Sequence, residues 1–457
     1  MAAPGGVRGM DSNLLLQAAA RAARYVANIG ERRVAPTAGG IGRLDALGGF
    51  LNDEPRDPLK VIAELDEFGS DATVASTGPR YFGFVTGGSL PAAMAANWLA
   101  GAWDQNGALT IQSPVGTKVE EIAAGWLIDL LGLPASTGVG FVTGATMANF
   151  TALAAARHAL LARAGWDVED RGLFGAPEIK VVAGAEVHVS LLKALSMLGL
   201  GRGRMTSVPA DEQGRIRAEL LPALDDLTLV CIQAGNVNSG AFDPAREICA
   251  GAKEAGAWVH VDGAFGLWAA AAPGRKHLAE GLADANSWAT DCHKWLNVPY
   301  DSGLAFVRNA GDLRGAMSLS AAYLHMSEER EPCLYTPEGS RRARGIEVWA
   351  ALRSLGRRGL AEMIERNCVL AARFASGLKN AGFEVLNDVV LNQVLVSFGD
   401  DEKTRRVIRD VQNDGTCWCG GTEWHGRAAM RISVSCWATT EPDVDRSLEA
   451  MVRIARS

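Results

Sequence analysis

Short apolar runs rich in β-branched residues alternate with stretches whose apolar positions recur at helical spacing. The alternation is most regular between residues 76 and 310. Residues 139–143 read as a strand that feeds an Ala-rich helix ending near Ala164, and 179–183 as a second strand followed by a helix over 189–198. Residues 229–233, 258–261, 287–290 and 304–307 are further strands. These runs are apolar almost throughout rather than at every second position, so both faces of the sheet must be covered. That predicts an α/β unit with a mostly parallel central sheet, in which ligands bind where the strands end.

The flanks read differently. Residues 1–75 offer helical stretches over 13–28 and 58–68, separated by a break at Gly39-Gly40, and form an N-terminal arm with little core of its own. Residues 311–457 open with a polar stretch, 325–344, and continue as helix (346–355, then 360–378), strands (394–398 and 430–434) and a last helix (444–454). This predicts a smaller C-terminal α+β domain. No internal repeat is present.

Composition narrows the class. Of 457 residues, 48% are hydrophobic and 21% charged, which is ordinary for a globular enzyme with a large core. A net charge of −7 with no basic stripe argues against nucleic-acid binding. No window approaches the ~18 unbroken apolar residues of a membrane span, and Asp11 precedes any apolar stretch that could serve a signal peptide. The expected location is the cytoplasm. Eight cysteines scattered through so long a chain read as free thiols. Cys417-Trp418-Cys419, the one close pair, lacks the partners of a zinc site, and no metal is expected.

Four features follow the strands, each ambiguous alone. Residues 143–149 are a Gly-containing turn opening a helix, where backbone N–H groups and the helix dipole favour an anion; a plain cap at Thr146 has the same pattern. His188 stands at the start of the next helix, where it can stack on an aromatic ring or simply cap. Asp262 ends a strand before Gly263-Ala264 and can hydrogen-bond a ring nitrogen, although structural carboxylates occupy such ends too. Lys294 lies among apolar residues beside Trp295, where desolvation favours the nucleophilic amine. An anion cradle, a stacking ring, a carboxylate and an amine together are what pyridoxal 5'-phosphate (PLP) requires. The 32 residues from Asp262 to Lys294 leave room for one excursion between two strands of one sheet.

The blocks His260-Val261-Asp262-Gly263-Ala264 and His293-Lys294-Trp295, with residues 235–244 and Ser113-Pro114 in support, resemble the group II PLP-dependent amino-acid decarboxylases, which include aromatic-L-amino-acid and glutamate decarboxylases. The resemblance runs from about Gly78 into the C-terminal domain. It implies the PLP-dependent transferase type I (aspartate aminotransferase-like) fold and a homodimer with shared active sites. It also implies that Lys294 carries the cofactor, Asp262 pairs with the pyridinium, His188 stacks on the ring and Ala264 lies beneath it. Ala145, Thr146 and His293 would hold the phosphate, with Asn236 nearby. Tyr323 would be the loop residue that reprotonates Cα, and Arg341 a basic residue beside that loop that binds the substrate. Phe84, Val85 and Thr86 would line the side-chain pocket; Trp103, Asn106 and Ala108 would reach it from the partner subunit. Three departures stand out: Asp291 where aromatic enzymes carry asparagine, Gly78-Pro79-Arg80 where a His-Pro pair is usual, and a shorter loop after Tyr323.

The expected reaction is decarboxylation of an L-amino acid to its amine, with an aromatic side chain favoured by Phe84 and Trp103. The alternatives are an acidic substrate, to which Arg80 would pair, and aldehyde-forming oxidative deamination on the same cofactor.

Overall fold

A computed structural model of the protein describes residues 12–318 and 330–457. Its centre is a seven-stranded sheet: β1 (Gly138–Val142), β2 (Lys180–Gly184), β3 (Thr206–Val208), β4 (Thr228–Gln233), β5 (Trp258–Asp262), β6 (Ser287–Asp291) and β7 (Gly303–Val307). In space the order is β1-β7-β6-β5-β4-β2-β3. The pairs from β3 across to β6 are all parallel, and β7 runs antiparallel to both β6 and β1. Every residue of β1, β4, β5, β6 and β7 is buried, which is why these segments are apolar without alternation. The three-residue edge strand β3 escapes the pattern because two of its positions are exposed.

The helix Ala145–Arg163 lies on β6 and β7. Its buried face is largely alanine, including Ala148, Ala152, Ala155 and Ala156, so its backbone sits close to the sheet. Its first turn therefore reaches the ends of β5 and β6. The register pairs Asp262 with Gln233 on one side and Ala289 on the other, which levels these strand ends.

The C-terminal part holds an antiparallel sheet, β8 (Glu384–Val385), β9 (Gln393–Ser397), β10 (Gly420–Trp424) and β11 (Arg427–Ser433), in the order β10-β11-β9-β8. The two stretches read as helices lie within Gly345–Asn380 and are separated by a kink at Gly356, whose φ of 61° only glycine takes easily. The final helix, Glu441–Arg456, begins with a capping box from Thr440 and Asp443. The N-terminal helices Ser12–Ala27 and Pro58–Gly69 bury no residue. Among the described residues no helix is long and apolar enough to cross a membrane. All eight cysteines are free thiols.

Candidate active site

Asp262 closes β5 and is only 5% exposed. A buried carboxylate needs partners, and it has two: the Asn149 amide donates to Oδ2 at 3.0 Å, and the Ala264 N–H donates to Oδ1 at 3.2 Å. Behind it runs a directed chain. Asn149 Oδ1 can only accept, so His260 Nε2, 2.9 Å away, carries the hydrogen. His260 Nδ1 then accepts from the Ser287 hydroxyl at 2.9 Å, and that oxygen accepts from Trp258 Nε1 at 2.9 Å. Burial pushes His260 down to about 4, so the ring stays neutral and acts as a fixed relay. His260 and Asp262 share a face because they are two apart on one strand.

The amine comes from the neighbouring strand. β6 ends at Asp291, and the turn after it presents His293 and Lys294, whose side chains are 12% and 16% exposed. Lys294 Nζ lies 3.1 Å from Asp291 Oδ2. The other oxygen of Asp291 accepts the Ala145 N–H at 2.5 Å and stands 3.5 Å from His293 Nε2. The turn at Gly144 is pressed against β7: a Cβ on Gly303 would come within 2.5 Å of the Gly144 Cα, so glycine is required there.

His188 caps the helix Val189–Met197, its Nδ1 accepting from the Ser190 N–H at 3.2 Å and lying 2.8 Å from the Ser190 hydroxyl. Burial lowers its pKa, and Asp262, Lys294, Arg431 and Asp291 all lie close enough to act on the ring electrostatically. Burial likewise lowers His293, whose ring stacks on Tyr300 with centroids 4.2 Å apart. The structure thus brings Lys294, Asp262, His188, His293, Ala145 and Ala264 together, with half-buried Thr146 on the same first turn as Ala145.

These residues fit PLP. An amine and a carboxylate come from adjacent strand ends, an imidazole whose pKa burial lowers is close enough to feel both, and a helix N-terminus closes one side. Arg431, on β11, adds a buried Nε with no partner and forms no ion pair among the described residues.

Other expected residues do different work. The Asn236 amide oxygen accepts from the Asn238 and Ser239 N–H groups and so organises its own turn, while its buried Nδ2 has no hydrogen-bond partner among the described residues. Arg341, with a fully buried side chain, pairs with Glu120 at 2.6 Å, a carboxylate it shares with Arg330, and donates to the Phe141 carbonyl, so it is engaged inside the protein against the expectation of a substrate contact. Arg80 is 3% exposed and donates to the carbonyls of Thr416 and Arg32, so it is not available to an acidic side chain. Asn106 is held by Gln112, Ala108 and Arg341. Trp103 is 45% exposed at the end of the helix Pro91–Trp103. Tyr323 lies outside the described residues.

Phe84 and Thr86 sit on a loop whose residues Phe84 and Val85 adopt left-handed φ of 54° and 57°. Phe84 stacks on Trp418 at 5.4 Å, and Trp418 on Tyr81 at 5.2 Å. A Cβ at Gly83 would fall 2.2 Å from the Trp418 ring, so the missing side chain is what admits the indole. Thr86 Oγ1 is 3.5 Å from the Tyr300 hydroxyl. Asn149, Ser190, His260, Ser287, Tyr300, Trp418 and Arg431 all went unread as site residues. Only Asn149 and His260 carried a signal, standing inside the blocks that single out the cradle and Asp262.

A Lys–Asp–His constellation at the ends of parallel strands in this fold defines a PLP-dependent enzyme. Residues 52–399 match the pyridoxal-dependent decarboxylase conserved domain, and the chain belongs to that family. It is a PLP-dependent carboxy-lyase. It is 29% identical to tryptophan decarboxylase 1 of Oryza sativa subsp. japonica, over 84% of each chain. It is 30% identical to L-2,4-diaminobutyrate decarboxylase of Rhizobium meliloti (strain 1021), over 80% of this chain and 75% of that one. The crystal structure of Oryza sativa TDC with PLP and tryptamine superposes with a TM-score of 0.89 at 22% identity, covering 99% of both chains, and shares the type I fold.

Proposed function

We propose that the protein removes the α-carboxylate of an aromatic L-amino acid and releases the amine. The observation that supports an aromatic side chain is the Tyr81–Trp418–Phe84 stack beside the site, together with the commitment of Arg80 to backbone carbonyls. Bound PLP supplies the electron sink for the pair left behind as CO₂ departs.

The protein's own residues set the conditions for that step. Lys294 would carry the cofactor, and Asp262, held in place by Asn149 and the Ala264 N–H, would face the pyridine nitrogen. His188, whose pKa burial lowers, would cover the ring. Thr146 and His293 hold the phosphate. Arg431, whose Nη1 donates to the Val237 carbonyl and Asn238 Oδ1, would offer its unpartnered Nε to the incoming carboxylate. Tyr323 returns a proton to Cα.

Trp98, Leu99, Trp103 and Ile111 are exposed on one stretch, which suits a homodimer in which Trp103 and Asn106 approach the partner's pocket. Eight free thiols suit the cytoplasm. The test is a panel of the twenty amino acids scored by CO₂ release, with ammonia and peroxide measured in parallel. Tryptophan, tyrosine or phenylalanine should give CO₂ and amine alone. Preference for glutamate or aspartate, or stoichiometric peroxide, would overturn the reading.

A further inference from the structure

The cradle that must receive a phosphate already contains an anion. Asp291 is 2% exposed, and its carboxylate takes the Ala145 N–H at 2.5 Å, at the N-terminus where backbone dipoles point outward. It lies 3.1 Å from Lys294 Nζ and 3.5 Å from His293 Nε2. Its position is fixed from both sides. The Asp291 N–H donates to the Ala264 carbonyl at 2.9 Å, its carbonyl accepts from Trp268 Nε1 at 3.1 Å, and Gly303 pairs with it across β7. A Cβ at Gly144 would stand 3.3 Å from Oδ1, so the carboxylate lies directly against that turn and only a glycine leaves it the room.

We propose that Asp291 sets how tightly the protein holds its cofactor, by opposing the phosphate at the helix N-terminus and so keeping PLP exchangeable. Two anions that share one set of donors in a buried site repel more strongly than they would in water. Each also depends on positive groups that the other uses. The Asp291 carboxylate is a positioning group. It fixes the first turn of the helix Ala145–Arg163 and orients Lys294, and its charge works against the dianion. The protein would then fill with PLP and lose it as the supply of PLP rises and falls.

The isosteric substitution Asp291→Asn separates shape from charge. It keeps an oxygen to accept the Ala145 N–H, removes the negative charge, and turns the group facing Lys294 Nζ from an acceptor into a donor, a change at the amine that the pyridoxal titration reads separately. The full-length apoprotein is titrated with PLP and, separately, with pyridoxal, which has the aldehyde but no phosphate; binding is read from absorbance and tryptophan quenching. D291N should lower the dissociation constant for PLP by about tenfold or more, a step of about 1.4 kcal/mol or more, and leave that for pyridoxal nearly unchanged. An unchanged or weaker affinity for PLP overturns the proposal. An equal gain for both ligands overturns it too, because the effect would then arise at Lys294 rather than at the phosphate. Should D291N not fold, Asp291→Ser provides a neutral oxygen for the same comparison. The readout is cofactor binding and requires no turnover.

Discussion

The floor of the site and its rim are built on opposite plans. The floor is a row of strand ends in a fully buried sheet, where Asp262, Asn149, His260 and Ser287 are joined by bonds of 2.9 to 3.0 Å. Each polar group there has a partner, so the geometry is set before any ligand arrives. The rim is a loop with two non-glycine residues at positive φ, an exposed Phe84, and an indole delivered from far along the chain. The floor fixes which cofactor chemistry is available. The rim adapts to a side chain, and its strained backbone is the place where specificity can change without disturbing catalysis.

The largest test of this division falls on the floor. Asp262→Asn keeps the shape and removes the charge, so kcat should drop on the order of 10²- to 10³-fold, with a lower melting temperature because its amide must turn a donor toward Asn149 or the Ala264 N–H. A variant with near-normal kcat would mean that the carboxylate is only structural.

A second test concerns His260 and acid stability. Burial holds its folded-state pKa near 4, below the ordinary histidine value of 6.5, so the unfolded chain takes up the proton more readily. Its contribution is therefore complete above about pH 6.5 and is lost as the pH falls toward 4, by roughly 3 kcal/mol in all. Urea unfolding from pH 7 to 4 should show a shallower acid decline in His260→Gln than in the unsubstituted protein. Parallel slopes would exclude the relay as a neutral, buried element.

The smallest expected effect is at the rim. Trp418→Ala should raise KM for aromatic substrates by about tenfold with kcat nearly unchanged, and Trp418→Phe should restore most of it. A drop in kcat instead would tie the rim to the chemistry and blur the distinction between the two regions.

The same contrast explains what was legible in the sequence. Buried parallel strands leave uninterrupted apolar runs, and polar residues directly after them stand out, which is how Lys294, Asp262 and His188 could be found. Residues that meet across long separations leave no such mark. Trp418 reaches Phe84 only because Gly83 makes room, and Arg431 is one arginine among many until folding buries its Nε without a hydrogen-bond partner among the described residues. Arg341 shows the opposite failure. The resemblance places a basic residue there, and the local sequence gives no sign that Glu120, in a helix 221 residues earlier, neutralises it. Asp291 was visible as a departure, but only its contacts with Ala145 and Lys294 give that departure a physical meaning.

The central claim is that the amine of Lys294 reaches the cofactor's aldehyde while Asp262 faces the far edge of the same ring. Borohydride reduction of the PLP-loaded protein, followed by proteolysis and mass mapping, tests it most directly. The account predicts that one pyridoxyl group is fixed per chain, on the peptide containing Lys294. A label on another lysine, or none at all, would contradict it.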